Sequence, residues 1–326
     1  MNLRHCGFVF AFAAISLSVL TIASHASADR YACKAVRIVV PYAAGGPSDT
    51  GARLVASSMS ETLGASVIVE NRGGAGGLIG TEQVAQAPAD GCTILLGAVG
   101  PLVYIPSERK VSYNVQSDFI PLGLIWQSPL LLVVNPKLGI KTVSEFIEYA
   151  KAGKDRISVA SAGLGTNTHM ASELLKREAD ISLLHVPYKG TGAALPDLLS
   201  GQVSATISDV ATMANMVRDG RLVGLAVTAH ERSPLLPDVP AVSEVGLGGA
   251  RTENWYGLLV KAGTPPDLVA RLKDALQKAV ATRSFQDSLA IHGATVRDVG
   301  PESFGALIGA ETKRWLPIIR ENGIKF

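Results

Sequence analysis

Two short stretches of the chain combine residue types suited to holding a small anion. The first runs Pro41-Tyr42-Ala43-Ala44-Gly45-Gly46-Pro47-Ser48-Asp49, between a strand pattern and a helix pattern. The second runs Ser161-Ala162-Gly163-Leu164-Gly165-Thr166-Asn167-Thr168-His169, in the same kind of place. Glycines let the backbone turn sharply and approach a ligand closely. Ser48 and Asp49 suit a helix start, and the free N–H groups there attract negative charge. Neither loop holds Lys or Arg, so peptide dipoles and hydroxyls would do most of the work. A helix N-terminus contributes about 0.3–1 kcal/mol, up to about 2 when partly buried. Micromolar binding needs about 8 kcal/mol. Two termini fall short, so the site also needs direct N–H bonds and exclusion of water, which closure of two domains provides. The alternative is that both are ordinary Gly-rich connections of an α/β fold.

Other residues admit two readings each. His169 could touch a ligand from the loop's helix start, or cap and pack. Asp209, between a strand and a helix, either accepts hydrogen bonds from a ligand or caps the helix. Tyr188 either walls a pocket or belongs to a plain strand exit beside a solvated Lys189. Ser161 with His169 offers a nucleophile and base for an exported α/β enzyme, but Val159-Ala-Ser161-Ala-Gly163 lacks the first Gly of a nucleophile elbow and no acid partner is identifiable. Gly74, Gly76 and Gly80 follow a strand with a Gly-x-Gly-x-x-x-Gly spacing, which departs from the dinucleotide fingerprint. The 6 histidines show no zinc spacing. No cofactor, metal or catalytic role is expected.

These loops need a scaffold. The chain has 326 residues, 47% of them hydrophobic and 18% charged, which is enough for two domains and excludes a disordered chain. Lys+Arg 30 against Asp+Glu 28 leaves a net charge of +2, which argues against a nucleic-acid partner. Residues 1–28 have a short basic start, an apolar run and an Ala-Ser-Ala28 end, the pattern of a secretory signal peptide, so the mature protein is expected to be exported. From Val36 onward, β-branched runs alternate with helix patterns, which predicts mostly parallel sheets flanked by helices. Strands are expected at 36–42, 66–70, 92–97, 130–135, 156–160, 182–186, 203–208, 222–228 and 255–260. Thr142 with Glu145 predicts a capping box for a helix ending at Gly153. Thr264 followed by Pro265 predicts an N-cap for a helix ending at Ala281. A short helix is expected at 284–292 and a long one at 301–322. Cys33 and Cys92 flank two strands that would be parallel neighbours, and they either form a disulfide or remain two buried thiols.

Several ordered motifs resemble those of the Bug/TctC family, the periplasmic substrate-binding receptors of tripartite tricarboxylate transporters. They are Val39-Val-Pro-Tyr-Ala-Ala-Gly-Gly-Pro-Ser-Asp49, Glu70-Asn-Arg-Gly-Gly-Ala-Gly-Gly77, Asp90-Gly-Cys-Thr-Ile-Leu-Leu96, His185-Val-Pro-Tyr-Lys-Gly190, Pro237-Asp-Val-Pro240, and Trp255-Tyr-Gly257 with Gly263-Thr-Pro265. The resemblance spans essentially the whole chain after the signal segment. It implies a two-domain α/β binding protein that closes like a Venus flytrap, with domain 1 at 29–127 and 252–326, domain 2 at 128–251, and two crossing hinge strands near Leu130 and Trp255. It implies a carboxylate ligand held, partly through waters, by Tyr42, Ala44, Gly45, Gly46, Pro47, Ser48 and Asp49 from one side. From the other side come Ser161, Ala162, Gly163, Gly165, Thr166, Asn167, Thr168 and His169, with Asp209 facing the ligand's other end. Family ligands include di- and tricarboxylates, acidic amino acids and aromatic carboxylates. Tyr42 stands where Phe is frequent, and Leu164-Gly-Thr-Asn-Thr where Val-Gly-Ser-Pro-Ser is frequent. The implied partners are the inner-membrane permease subunits, and a monomer is expected. A receptor that reports to a sensor protein is the other binding reading.

Overall fold

One long strand organises the molecule. The computed structural model describes residues 31, 33–153, 157–291, 293–295 and 300–326; the signal segment, Arg156 and His292 lie outside them. The strands are β1 (Ala35–Val40), β2 (Ser66–Asn71), β3 (Thr93–Ala98), β4 (Phe119–Val134), β5 (Ser158–Ser161), β6 (Leu184–Pro187), β7 (Ala205–Asp209), β8 (Val223–Val227) and β9 (Glu253–Lys261). The helices are α1 (Pro47–Leu63), α2 (Leu78–Ala85), α3 (Ile105–Glu108), α4 (Val143–Ala152), α5 (Asn167–Ala179), α6 (Thr191–Ser200), α7 (Val210–Arg218), α8 (Pro266–Ala281), α9 (Arg283–Ile291) and α10 (Pro301–Glu321). The strands form a curled array in the order β2-β1-β3-β9-β4-β7-β5-β6, with β8 also paired to β4.

The flanks of this array are parallel, as the alternating pattern predicts: β1 with β2 and β3, and β5 with β6 and β7. Its centre differs. β9 runs antiparallel to both β3 and β4, and β4 runs antiparallel to β7 and β8. β4 is also much longer than the expected strand at 130–135. Its first part carries Pro121, Gly123 and Pro129, which read as strand breakers. The pairing with β9 tolerates them: the register shifts at Pro121/Gly123 and again at Leu124/Trp126, and Pro129 closes the ladder opposite Glu253.

Alternation along the strands explains why both faces are apolar. Leu130, Leu132 and Val134 of β4 enter one core cluster, and Leu131 and Val133 enter another on the opposite face. Likewise Leu95 of β3 faces one cluster while Ile94 and Leu96 face the other. The Thr142/Glu145 capping box forms, and Gly153 closes α4 in the left-handed conformation. At α8, by contrast, Pro265 takes the N-cap position, and the Thr264 hydroxyl donates to the Lys261 carbonyl instead. Gly51 marks a close approach. A Cβ there would lie 2.2 Å from the Trp126 ring, so α1 rests directly on that indole.

Cys33 and Cys92 are joined as a disulfide, with Cα atoms 5.6 Å apart and a sequence separation of 59. It ties the segment entering β1 to the segment entering β3. Closing a loop of this length constrains the unfolded chain, and removing such a bond typically costs about 2–5 kcal/mol. The double variant Cys33→Ala/Cys92→Ala is therefore expected to unfold at lower urea concentration than the oxidised protein. Equal midpoints would mean the bond adds no stability.

Candidate functional site

The loops at the carboxyl ends of the parallel strands meet around one cleft of about 1140 Å³. From the first half of the array come Tyr42 to Ser48, Asn71, the Gly73–Gly77 run, Ala98 and Val99. From the second half come Ala162 to Leu164, Thr166 to Thr168, Pro187 to Ala193, Asp209 and Thr212. Asn254 and Tyr256 of β9 border it as well. The starts of α1, α2, α5, α6 and α7 therefore all border the same space. The two halves touch at its edge. A Cβ on Gly76 would lie 2.9 Å from the Leu164 carbonyl, so the left-handed Gly76 (φ 65) permits that approach.

Of the residues singled out from sequence, Tyr42, Ala44, Gly45, Gly46, Pro47, Ser48, Ala162, Gly163, Thr166, Asn167, Thr168, Tyr188 and Asp209 border the cleft. Asp49, Ser161, Gly165 and His169 do not. These four engage their own loops or the elements packed behind them. Gly46, not Ser48 or Asp49, caps α1. Asp49 sits in the first turn, where its Oδ2 accepts from the Gly45 N–H at 2.9 Å and from Arg53 Nε at 3.1 Å. Burial alone would raise its carboxyl, but the hydrogen bonds from Arg53, Gly45 and Asn71 outweigh it and hold the group below the ordinary range.

The Ser161/His169 pairing does not occur. Ser161 Oγ lies 2.6 Å from Nε2 of His185, on the neighbouring strand β6. His169 stacks on His185 with ring centroids 4.0 Å apart, and its Nδ1 accepts from the Gly165 N–H at 3.4 Å. Two packed imidazoles thus hold the second loop from behind, outside the cleft. Burial, then the His185 ring beside it, then Lys176 push the His169 imidazole down to about 3. Burial also lowers His185, against the pull of Glu173.

Asp209 caps nothing with its side chain. Its Oδ1 accepts from Asn254 Nδ2 at 2.8 Å and from Ser128 Oγ at 3.1 Å. Burial raises its carboxyl in spite of those two donors. Tyr188 donates its hydroxyl to Asp197 Oδ2 at 2.7 Å, which fixes the ring at the cleft wall. Four further contributors lie outside the residues expected to hold the ligand. Arg109 and Lys189 bring cations to the cleft, although neither Gly loop has one. The Gly73–Gly77 run, which departs from a dinucleotide motif, forms wall. Phe326 borders the cleft with its ring near-perpendicular to that of His169, centroids 5.7 Å apart, and its carbonyl accepts from Arg109 Nη1 at 3.3 Å. Nothing in local sequence links Arg109 or Phe326 to loops that far away.

The family model of the tripartite tricarboxylate transporter family receptor, TctC, matches residues 51–324. The chain belongs to that family. Its members are periplasmic solute-binding receptors rather than enzymes. Among solved structures, the TctC-family chain is similar to the periplasmic binding protein BugD, at 36% identity and a TM-score of 0.81, covering 89% of this chain and 98% of that one. It is similar to MatC from Rhodopseudomonas palustris with bound malate, at 34% identity and a TM-score of 0.81, covering 87% and 98%. It is also similar to an R. palustris protein with adipate, at 32% identity and a TM-score of 0.81, covering 89% and 97%. The mixed α/β periplasmic-binding-protein fold and the family read from the motifs both hold.

The histidine pair has a measurable consequence. An unfolded histidine takes up its proton near its ordinary value of 6.5, while native His169 stays neutral down to about 3. Between those values the unfolded chain binds the extra proton, so stability falls as pH drops through 6.5. The urea midpoint is expected to be lower at pH 5.5 than at pH 7.5, and the difference to shrink in His169→Asn. An unchanged difference in that variant would mean His169 does not set the slope.

Proposed function

We propose that the protein is an extracytoplasmic receptor that closes two lobes on a small carboxylate and delivers it to the membrane subunits of a tripartite-type transporter. The lobes are residues 29–127 with 252–326, and residues 128–251, with the β4–β9 pair between them as hinge. The signal-peptide pattern at 1–28 supports export to the periplasm. The receptor is read as non-enzymatic and monomeric.

The observation that carries this reading is the convergence of five helix starts, α1, α2, α5, α6 and α7, on one cleft. Each positive helix end contributes about 0.3–1 kcal/mol to an anion, so five supply roughly 1.5–5 kcal/mol. Direct N–H bonds and the cations Arg109 and Lys189 add to this. A carboxylate fits that field, and the malate- and adipate-bound relatives support the class. The proposed contacts are the backbone of Ala44 to Ser48 on one side, and Ala162, Gly163 and the start of α5 on the other. Tyr42 and Tyr188 act as walls. Asp209 has one oxygen engaged by Asn254 and Ser128, and it sets the preference at the ligand's distal end.

The test is a thermal-shift screen of residues 29–326, unfolded and refolded first to strip carried ligand. The panel holds malate, adipate, citrate, glutamate, benzoate and phthalate. A concentration-dependent rise for one class is expected, since a tight ligand stabilises by mass action. Gly46→Val is expected to abolish that rise while the protein stays folded. The space at Gly46 is open, and the nearest atom would lie 3.8 Å from an added Cβ, so the new side chain intrudes on the anion and not on the fold. Flat melting across the panel, or normal binding in Gly46→Val, would count against this site.

A further inference from the structure

The side chains of the second loop are mostly committed within the loop. Thr168 Oγ1 accepts from the Ala162 N–H at 2.8 Å and lies 2.9 Å from Thr166 Oγ1. Thr166 Oγ1 donates to the Gly163 carbonyl at 2.7 Å. Ser161 is engaged by His185, and His169 by Gly165. The hydroxyls that look available for an anion in the sequence are therefore spent on shaping the loop.

Asn167 is different. It opens α5, is 4% exposed and borders the cleft. Its Oδ1 accepts from the Tyr104 hydroxyl at 2.5 Å and from the Thr252 hydroxyl at 3.0 Å. Two hydroxyl donors on one end fix which way the amide faces. The other end, Nδ2, is buried with no hydrogen-bond partner among the described residues. A buried N–H group left without an acceptor is costly, and native structures rarely retain one without a use. The donors come from separate places. Tyr104 lies just before α3 in the first lobe, stacked edge-on against Trp315 at 4.7 Å, and Thr252 lies where the chain returns into β9.

We propose that Asn167 is a specificity-determining residue, whose Nδ2 donates to an oxygen of the bound carboxylate while Tyr104 of the opposite lobe holds the amide in place. This rests on the receptor reading above and adds to it. The corner of the cleft beside α5 takes an anionic or hydroxyl oxygen, and it rejects an ammonium or a methyl group. It also makes recognition depend on closure. Tyr104 and Asn167 belong to different lobes, so the amide is aimed only when the lobes meet. A ligand that occupies Nδ2 thereby favours the closed form.

The test uses isothermal titration of wild type, Asn167→Ala, Asn167→Asp and Tyr104→Phe with malate, adipate, citrate and benzoate. For whichever of these acids binds wild type, Asn167→Ala is expected to weaken binding about tenfold or more, the scale of a hydrogen bond to a charged group. Asn167→Asp, which sets an acceptor against an acceptor, is expected to lose more. Tyr104→Phe, which keeps the Asn167 donor but frees it to turn, is expected to lose less. A second readout needs no stable variant. In ¹⁵N spectra of wild type, the Asn167 side-chain amide pair should shift on saturation with the bound acid. Binding within twofold of wild type in a folded Asn167→Ala, or an unmoved Asn167 amide pair at saturation, would overturn the proposal and leave the receptor reading intact. Failure of all four acids to bind folded wild type would overturn both.

Discussion

The antiparallel ladder between β4 and β9 is the constraint on which the rest depends. It runs from Phe119 opposite Lys261 to Pro129 opposite Glu253. Past that point β4 continues alone into the second half of the array, where it pairs with β7 and β8. One strand is thus shared by two halves whose parallel flanks each fold around their own connections. Because parallel strands present their carboxyl ends to the same side, each flank sends its strand-to-helix loops toward the common edge. The shared strand then sets those two edges face to face. The cleft follows from topology before any single side chain is considered.

Within that frame, much of the chemistry goes into rigidity. Asp49 is spent on the Gly45 amide and Arg53, Tyr188 on Asp197, and the threonines of the second loop on one another and on nearby backbone. Behind the second loop, two neutral imidazoles replace what could have been an apolar filler. The arrangement leaves the backbone of the two Gly loops and the cations Arg109 and Lys189 bordering the space between. Anion recognition by fixed dipoles needs such stiffness, since a dipole free to turn away contributes little.

Parts of this are legible in the residues alone, and the rest is hidden for definable reasons. Strands such as β1 and β3 announce themselves through short β-branched and apolar runs. The Thr142/Glu145 box is readable because it is local. The two Gly loops are readable as turns before helices. The first part of β4 is not, because Pro121, Gly123 and Pro129 look like breakers until β9 supplies a partner that tolerates bulges. Ser161 cannot be assigned to His185 rather than His169 from the sequence, because that choice depends on the register of β5 against β6. Arg109 and Phe326 reach the cleft only through tertiary folding. Asp49, a good cap by type, falls inside the first turn because Pro47 starts the helix earlier.

The packing around Trp126 has optical meaning. Tyr256 borders the cleft, and its ring lies 4.5 Å from the ring of Trp126, tilted by 31°. Trp126 is almost fully screened from water and is pressed by the backbone of α1 at Gly51. An indole held this way emits from a fixed, dry environment. Any molecule that settles against Tyr256 alters the local field one ring away. The protein therefore carries its own chromophore one ring away from the cleft, where a molecule settling against Tyr256 can be followed without any attached dye.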